Sequence, residues 1–252
     1  MFSPQRRETI VQLLQEKKQI VVKELAKQLN VSEGTLRTDL KILEEEGALE
    51  RTHGGAILPR THVADHRASS RSDLNREEKK RIGQAAAALV RPGQCVILDA
   101  SSTALELSRH LVDYDYLTVV TNGIEAALEL NRNPRINVIM IGGVLRPSSR
   151  TIEGLLGKSI LSDIHADLFF TSAEGFSLEA GMTDFSVYES ELKKLMAENA
   201  GRVVAMLDYT KLNRRSIATS VKAAQVHTLI TDAKADAAFL RRLSGIEVIV
   251  AK

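Results

Sequence analysis

The spacing of apolar residues predicts three short helices close to the N-terminus. In each helix, apolar side chains recur at intervals of three or four residues and make a single stripe. The predicted helices run from Pro4 to about Lys17, from about Val22 to Leu29, and from Ser32 to Gly47. Very few residues separate the second helix from the third, and so short a link makes the two helices cross, as in a helix-turn-helix.

The third predicted helix carries its own start and stop signals. Ser32 is expected to cap the first turn by accepting a hydrogen bond from one of its otherwise unpaired amides. Leu36, Leu40 and Leu43 fall at i, i+4 and i+7 and form a buried stripe. Gly47 supplies the left-handed conformation at which many helices end. The segment is therefore predicted to be an amphipathic helix with one polar face in solvent.

That polar face is the first candidate binding surface. Its side chains are small or polar donors and acceptors, suited to base edges and phosphates in a major groove. They belong to Glu33, Gly34, Thr35, Arg37, Thr38 and Lys41. Two short strands follow, Ala48–Thr52 and Ala56–Leu58, on either side of a glycine turn. The pattern predicts a winged helix-turn-helix, with Arg51 and His53 close enough to the wing tip to reach sugar-phosphate.

A polar stretch without periodicity, residues 59–74, is predicted to be a linker. The helix Arg76–Val90 follows it, and short apolar runs then alternate with helical patterns, such as Thr103–Leu111, Ile124–Leu130, Val187–Ala197 and Ala235–Leu243. The apolar runs are Val96–Leu98, Thr118–Val120, Val138–Ile141, Leu168–Phe170, Val203–Leu207, Thr228–Ile230 and Val248–Val250. Runs without in/out alternation predict a mainly parallel sheet covered on both faces, and thus an α/β domain. Arg150–Ser162 fits either a ligand-covering loop or a helix.

Small polar residues follow the predicted strands, at the edge where open α/β sheets bind ligands. The segment Ser101–Thr103 opens a helix, and its hydroxyls together with the helix amides predict an anion site suited to phosphate. Lys211 can add a cation. The groups suited to pair with sugar hydroxyls are Asp99, Asn122 and Asp208. For each residue singly, turn or cap chemistry is the alternative, because these residue types serve it in all proteins.

Composition and charge narrow the classes of function. The 252 residues suffice for two domains, and the low aromatic content of 4% argues against stacking on single-stranded nucleic acid. Residues 1–60 contain ten Lys/Arg and nine Asp/Glu, so they are not strongly basic overall. Either the basic residues share one face, which would suit DNA, or the surface is a solvated mixture of both charges.

Within this sequence Cys95 has no disulfide partner, the histidines lack metal-ligand spacing, and no cofactor is predicted. No apolar run approaches the ~18 residues of a membrane helix, so a cytoplasmic protein is expected.

The N-terminal pattern resembles the DNA-binding domain of DeoR-type bacterial transcription regulators. The matching residues are Arg6, Ile10 and Leu14, Ser32–Leu40, Leu43–Arg51 and His53–Ala56. The resemblance implies that the partner is double-stranded operator DNA. The predicted DNA contacts are Arg6, Ser32, Glu33, Thr35, Arg37, Thr38, Lys41, Arg51 and His53.

The remainder looks like the sensor domain of the same regulators, which resembles sugar-phosphate isomerases such as ribose-5-phosphate isomerase. The matching segments are Asp99–Thr103, Val120–Gly123, Gly142–Arg146, Glu153-Gly154, Gly181–Asp184 with Glu189, and Asp208–Lys211. The resemblance implies a phosphorylated sugar as effector. The predicted effector contacts are Asp99, Ser101, Ser102, Thr103, Thr121, Asn122, Gly143, Arg146, Glu153, Asp184, Asp208 and Lys211. Glu174 stands in a stretch where the family usually has small residues.

These features predict a DNA-binding regulator, a repressor of a sugar-metabolism operon, with domains at 1–58 and 75–252. A homodimer or tetramer is expected, because one winged helix reads few bases and paired half-sites multiply affinity. The alternative is an isomerase-like enzyme fused to a DNA-binding domain, with Asp99, Asp184, Glu189 or Asp208 as its base. No catalytic residue is predicted, because spacing assigns no acid–base pair and turnover would erase the signal. The glycine-rich loop of P-loop enzymes is missing.

Overall fold

The computed structural model describes residues 3–17, 19–45, 48–52, 54–57, 74–146 and 149–252. The chain divides into two compact units, Met1–Ser70 and Arg71–Lys252. The predicted linker lies outside the described residues except for Leu74, and so do Gly47 and His53. Among the described residues, no helix combines the length and the apolar character needed to cross a membrane.

The described part of the N-terminal unit is built of three helices and a small sheet. Its elements are α1 (Ser3–Lys17), β1 (Gln19–Val21), α2 (Val22–Gln28), α3 (Glu33–Glu45), β2 (Glu50–Thr52) and β3 (Gly55–Ile57). The strands pair antiparallel in the order β1-β3-β2. The three predicted helices and the hairpin are confirmed. β1 is an addition, because a strand of three residues is too short to reveal a period of two.

The core of this unit lies between the three helices and the hairpin. Ile10 and Leu14 of α1 are fully buried against the stripe of α3, which consists of Leu36, Leu40 and Leu43. The predicted stripe is therefore confirmed. Each large aliphatic side chain removed from water contributes about 1.5–3 kcal/mol, so a few such residues supply much of the stability of a unit this small.

A charged pair is buried beside that core. Arg6 Nε lies 2.6 Å from Asp39 Oδ2, and Arg6 Nη2 lies 3.2 Å from Asp39 Oδ1. Both side chains are buried, and the two-pronged contact ties α1 to α3. This position corrects the expectation for Arg6: its guanidinium is used within the unit and is not presented to DNA on an exposed face.

The C-terminal unit alternates strands and helices. Its elements are α4 (Arg76–Ala87), β4 (Cys95–Leu98), α5 (Ser102–Leu111), β5 (Leu117–Thr121), α6 (Ile124–Leu130), β6 (Ile136–Met140), β7 (Val144–Leu145), β8 (Ile152–Glu153), α7 (Lys158–Ser162), β9 (Ala166–Thr171), β10 (Gly175–Ser177), β11 (Gly181–Asp184), α8 (Val187–Glu198), β12 (Ala200–Met206), β13 (Ala218–Val221), β14 (Thr228–Asp232), α9 (Ala237–Leu240) and β15 (Glu247–Ala251). Single 3₁₀ turns occur at Tyr209–Lys211 and Ala223–Gln225.

Seven of these strands form one parallel sheet in the order β15-β14-β12-β9-β4-β5-β6. Each of the seven predicted apolar runs coincides with one of these strands, although Val138–Ile141 and Val203–Leu207 extend one residue beyond theirs, so the α/β class is confirmed. From β4 the chain moves outward through β5 to β6, and then returns to β9 on the other side of β4. The strand order therefore reverses between β4 and β9, which is where such sheets bind ligands.

Both faces of the sheet are buried, and successive residues of a strand enter different cores. Phe169 packs into one apolar cluster, and its neighbours Leu168 and Phe170 pack into the other. Val203 and Val204 of β12 divide in the same way. Because both faces are covered by helices, every position of these strands favours an apolar residue, and the runs show no alternation.

Several short elements of the C-terminal unit differ from the prediction. β10, β11 and β13 form a separate antiparallel sheet, and β7 pairs with β8 as a two-residue hairpin. Arg150–Ser162 contains both a strand, β8, and a short helix, α7. The last predicted helix, Ala235–Leu243, is shorter in the structure, where α9 spans Ala237–Leu240. These elements are too short for their periodicity to be detected.

Gly55→Ala is expected to destabilise the N-terminal unit, and Gly54→Ala is the matched control. A Cβ on Gly55 would lie 1.8 Å from the Ile20 carbonyl oxygen, whereas a Cβ on Gly54 would meet nothing within 4 Å. Because β1 and β3 are paired at this point, the chain has to shift, at a cost of about 1–3 kcal/mol or more. Thermal unfolding followed by far-ultraviolet circular dichroism measures the loss. Equal melting curves for the two variants would contradict the expectation.

Candidate functional site

The N-terminus of α3 is fixed by the hydroxyl of Ser32. Ser32 Oγ accepts a hydrogen bond from the Thr35 amide at 3.1 Å and lies 2.9 Å from Thr35 Oγ1. The predicted cap is therefore confirmed. The two hydroxyls are exposed at the first turn of the helix, so they stand where a phosphate at a helix N-terminus would meet them.

The predicted contact face of α3 is exposed throughout. Its exposed residues are Glu33, Gly34, Thr35, Arg37, Thr38 and Lys41. Arg37 Nη2 lies 3.0 Å from Glu33 Oε2, and Lys41 Nζ lies 3.8 Å from Glu45 Oε1. Exposed pairs of this kind contribute about 0–1 kcal/mol. Both cations can therefore leave their glutamates for a phosphate or a base at small cost.

The wing is held to the end of α3 by Arg51. Its amide donates to Glu44 Oε1 at 3.0 Å, and its guanidinium lies 3.6 Å from Glu44 Oε2. This contact fixes the position of β2 relative to the predicted recognition helix. His53, the other predicted contact of the wing, lies outside the described residues.

In the C-terminal unit, Asp99 lies at the reversal point of the sheet and joins its two central strands. Its amide donates to the Phe170 carbonyl at 3.2 Å. Its Oδ2 accepts from Thr171 Oγ1 at 2.8 Å and from the Ser172 amide at 2.9 Å, and its Oδ1 accepts from the Ser101 amide at 3.1 Å. The carboxylate predicted to pair with a sugar hydroxyl is thus buried and bonded within the protein, where it shapes the loop before α5.

The loop Ser101–Thr103 opens α5 as predicted. Ser101 Oγ accepts from the Ala104 amide at 3.1 Å and caps the helix. Ser101 and Ser102 are partly exposed, whereas Thr103 is buried. The aligned amides of this ten-residue helix give its N-terminus a partial positive charge, so the reversal point combines hydroxyls with a field that favours an anion.

A buried lysine that the sequence did not single out forms the centre of the site. Lys193 Nζ of α8 lies 3.1 Å from Asp184 Oδ1, 3.0 Å from Glu189 Oε1 and 3.3 Å from Asp99 Oδ2. It also donates to the Ser172 carbonyl at 2.8 Å. One ammonium therefore holds together the ends of β4, β9 and β11 and the first turns of α8.

The protonation of this cluster follows from burial and from its mutual charges. Burial acts to lower the pKa of Lys193, but the attraction of Asp184, Glu189 and Asp99 outweighs it and raises that pKa well above its ordinary value. Burial raises the pKa of Asp184, against the opposing effect of the Lys193 charge and with the repulsion of Glu189 added. Lys193 is charged at neutral pH, and Asp184 takes up a proton at a higher pH than an ordinary aspartate.

The β7–β8 hairpin joins the same cluster. Arg146 Nη1 lies 3.0 Å from Glu153 Oε1 and 3.9 Å from Glu189 Oε2, and Ser186 Oγ donates to Glu153 Oε2 at 3.3 Å. The predicted residues Arg146 and Glu153 are therefore brought next to Asp184 and Asp99. Gly143 has a packing role, because a Cβ there would lie 2.5 Å from the Glu153 carbonyl oxygen.

The loop after β5 connects this hairpin to the loop before α5. Asn122 Nδ2 donates to the Ile152 carbonyl at 2.8 Å, and the Ile152 amide donates to the Asn122 carbonyl at 3.0 Å. A Cβ on Gly123 would lie 3.1 Å from Ala100 Cα, so the two loops are in close contact. Thr121 Oγ1 accepts from the Gly123 amide at 3.0 Å and stabilises the turn.

Two buried acceptor atoms in this region have no hydrogen-bond partner among the described residues. They are Asn122 Oδ1 and Asp184 Oδ2. A buried polar atom without a partner costs roughly 1–3 kcal/mol, and proteins keep very few of them. Acceptors of this kind, close to a helix N-terminus at the reversal point of the sheet, are suited to donor groups of a bound molecule such as hydroxyls.

Asp208 and Lys211 form a second set at the end of β12. Asp208 Oδ1 accepts from Asn75 Nδ2 at 3.1 Å and from the Thr210 amide at 3.0 Å, so it caps the 3₁₀ turn. Lys211 Nζ lies 3.1 Å from Glu174 Oε2. The ammonium predicted to meet a phosphate is thus paired with the glutamate that departs from the usual family pattern, and it has to leave that partner to reach an anion.

The structure therefore groups most, but not all, of the predicted effector residues. The first group contains Asp99, the Ser101 loop, Asn122, Arg146, Glu153 and Asp184. The printed sequence held a signal for the missing centre, because Glu189 and Lys193 are spaced i,i+4 on α8. Lys193 and Lys194 both fall between the buried residues Leu192 and Met196, so the sequence pattern does not tell which of the two lysines is buried.

Models of two families match the chain. The model of the DeoR C terminal sensor domain matches residues 74–233. The model of the DeoR-like helix-turn-helix domain matches residues 6–62. Together the two matches take in both compact units.

Relatives match along the full length. The HTH-type transcriptional regulator GolR of Listeria innocua is 43% identical and covers 100% of both chains. The HTH-type transcriptional repressor GlcR of Bacillus subtilis is 34% identical over 99% of this chain and 97% of its own. Among solved structures, ribose 5-phosphate isomerase A from Methanocaldococcus jannaschii is similar with a TM-score of 0.41 and 18% identity, over 55% of each chain.

Lys193→Met is expected to lower the free energy of unfolding of the C-terminal unit by about 3–5 kcal/mol, because it leaves buried carboxylates without their cation. The loss should shrink as the pH falls. Carboxyls whose pKa is raised in the folded chain bind protons more tightly there than in the unfolded chain, so acid favours the folded variant. Thermal unfolding between about pH 5 and pH 8 tests this.

Lys194→Met is the matched control, since Lys194 is the exposed neighbour on the same helix. Its melting temperature should stay close to that of the unmodified chain at every pH. A similar loss in both variants, or a loss for Lys193→Met that grows towards acid pH, would contradict the assignment of Lys193 as the buried counter-charge.

Proposed function

The chain belongs to the DeoR family of helix-turn-helix transcriptional regulators, and on that premise we propose that it represses a sugar-metabolism operon under the control of a phosphorylated sugar. The N-terminal unit binds double-stranded operator DNA in this proposal. The C-terminal unit binds the effector at the reversal point of the parallel sheet. Two or more copies act together, because a single winged helix reads few base pairs.

The exposed face of α3 supports the assignment to DNA. Its first two turns carry short polar side chains and two cations whose partners are weakly held surface glutamates. The proposed contacts are Ser32, Glu33, Thr35, Arg37, Thr38 and Lys41 on the helix, with Arg51 and His53 on the wing. Arg6 contributes indirectly, because it fixes α1 against α3 through Asp39.

The observation that carries the effector assignment is the pair of buried acceptors beside the N-terminus of α5. A phosphate placed on the Ser101–Thr103 loop meets hydroxyls and helix amides. Asn122 Oδ1 and Asp184 Oδ2, which have no partner within the described residues, then accept from hydroxyls of the attached sugar. In this arrangement Lys211 exchanges Glu174 for the phosphate, so effector binding rearranges the end of β12.

An isomerase-like enzyme is the second candidate, and the raised pKa of Asp184 is the observation that favours it. The regulator is the better proposal, because Lys193 is bound to three carboxylates at once and Asp99 is bonded to backbone amides. Because Lys193 and Asp99 are bonded within the protein in this way, their role in this proposal is structural. Incubation of the purified chain with its effector is expected to give no aldose–ketose conversion, and steady turnover would establish the enzyme instead.

Arg37→Ala is expected to weaken operator binding by at least about fivefold, because a two-pronged arginine contact to a base contributes about 1–3 kcal/mol. The measurement is a binding titration on a DNA site selected by the unmodified chain. Arg132→Ala is the matched control, because Arg132 is similarly exposed and paired with a nearby glutamate, Glu129 of α6, but lies in the C-terminal unit. Equal affinities for both variants would show that α3 is not the recognition element.

A phosphorylated sugar is expected to raise the melting temperature of the purified chain where the same sugar without phosphate does not. A ligand that binds the folded state at a hundred times its Kd adds about 2.7 kcal/mol. Lys211→Ala should remove much of this effect, while Lys222→Ala, an exposed lysine of the same unit, should retain it. A free sugar that stabilises as well as its phosphate ester would refute the anion site at α5.

A further inference from the structure

An exposed apolar patch lies on the C-terminal unit next to the candidate effector site. We define it by six side chains whose exposed fractions range from 44 to 77%. They are Val144 and Leu145 of β7, Leu155 and Leu156 after β8, and Val187 and Tyr188 at the start of α8. Clusters of exposed large apolar groups in a globular protein mark binding surfaces, whereas single ones are ordinary.

Hydrogen bonds and packing bring the elements that carry the patch together. Val144 is paired with Glu153 in the β7–β8 hairpin, and Leu155 follows Glu153 by two residues. Ser186, which precedes Val187, donates to Glu153 at 3.3 Å. α7 and β8 both pack against α8. The elements that carry the six side chains are therefore in contact with one another.

Phe185 and Ile160 are exposed beside the patch, whereas other exposed large apolar residues of the C-terminal unit lie on different elements. Leu128 lies on α6, Tyr116 precedes β5, and Val250 lies on β15 at the edge of the sheet. These three residues therefore belong to three different parts of the unit. This contrast matters because it shows that the patch is a local concentration of apolar surface and not a general property of the unit.

We propose that two copies of the chain associate through this patch. The rim carries both signs of charge on the same elements: Lys158 and Asp163 at the two ends of α7, and Glu191 and Lys194 on α8. In a two-fold dimer, the patch of one copy faces the same patch of the other copy. Because the rim carries both signs of charge, basic residues of one copy can lie opposite acidic residues of the other. DNA or an anionic membrane would favour a basic rim.

The choice of a second copy as occupant rests on the proposed function, since a repressor with one winged helix per chain needs a pair of them to read two half-sites. The position of the patch gives the pairing a further consequence. The β7–β8 hairpin contributes Arg146 and Glu153 to the candidate effector site and Val144 and Leu145 to the patch. The interface and the effector site therefore share an element.

Sedimentation velocity of the full chain over a range of concentrations tests the interface. The unmodified chain is expected to form a dimer or a larger assembly. Leu156→Asp should weaken self-association at least about tenfold, because it places a charge at a desolvated centre of the contact. Leu128→Asp is the matched control: both leucines are strongly exposed, and neither substitution opens a core. The control should assemble like the unmodified chain.

The inference is overturned by a monomer in the unmodified chain, by unchanged assembly in Leu156→Asp, or by equal weakening in Leu156→Asp and Leu128→Asp. Circular dichroism confirms that each variant is folded. Tyr188→Asp, on the other side of the patch, should repeat the effect of Leu156→Asp, and unchanged assembly would again refute the interface. Operator binding is measured on the same samples, so a monomer that binds DNA would reject the interface and the pairing of copies, and would leave the assignment of the N-terminal unit to DNA standing.

Discussion

The C-terminal unit depends on one buried ammonium. Lys193 can be removed from water only because carboxylates surround it, and those carboxylates can be buried together only because Lys193 lies between them. Its partners come from the ends of β4 and β11 and from α8 itself. The charge thus fixes the helix against the carboxyl edge of the sheet, where apolar packing alone leaves the position of polar loops undetermined.

The apolar framework could be predicted from the sequence, and the charged centre could not. The seven parallel strands are continuous apolar runs because both faces of the sheet are covered, and the stripe of α3 has the period of a helix. Lys193 looks like an ordinary solvated lysine, since nothing local reveals that Asp99 will lie beside it. β7, β8 and the three-residue strands escape prediction because their pairing, and not their periodicity, defines them.

The residues predicted at the strand ends were the right chemical types, but most of them first satisfy the protein itself. Asp99 and Asp208 accept from nearby amides, Thr121 holds its own turn, and Lys211 is paired with Glu174. Backbone amides at strand ends need hydrogen-bond acceptors, and the nearest polar side chains provide them. What remains for a ligand is the N-terminus of α5 and the two unpaired acceptors of Asn122 and Asp184.

The β7–β8 hairpin is the element through which ligand and partner can influence each other. It has two residue pairs, and two-stranded hairpins of that size have little stability of their own. Its place is therefore set by the contacts of Arg146 and Glu153 with Glu189 and Ser186 and, in our proposal, by the second copy that covers Val144 and Leu145. A ligand that alters the contacts of Arg146 and Glu153 changes the position of Val144 and Leu145. Because such coupling requires a ligand to bind two arrangements with different affinity, a weakly held hairpin between two binding surfaces is a better transmitter than the rigid sheet behind it.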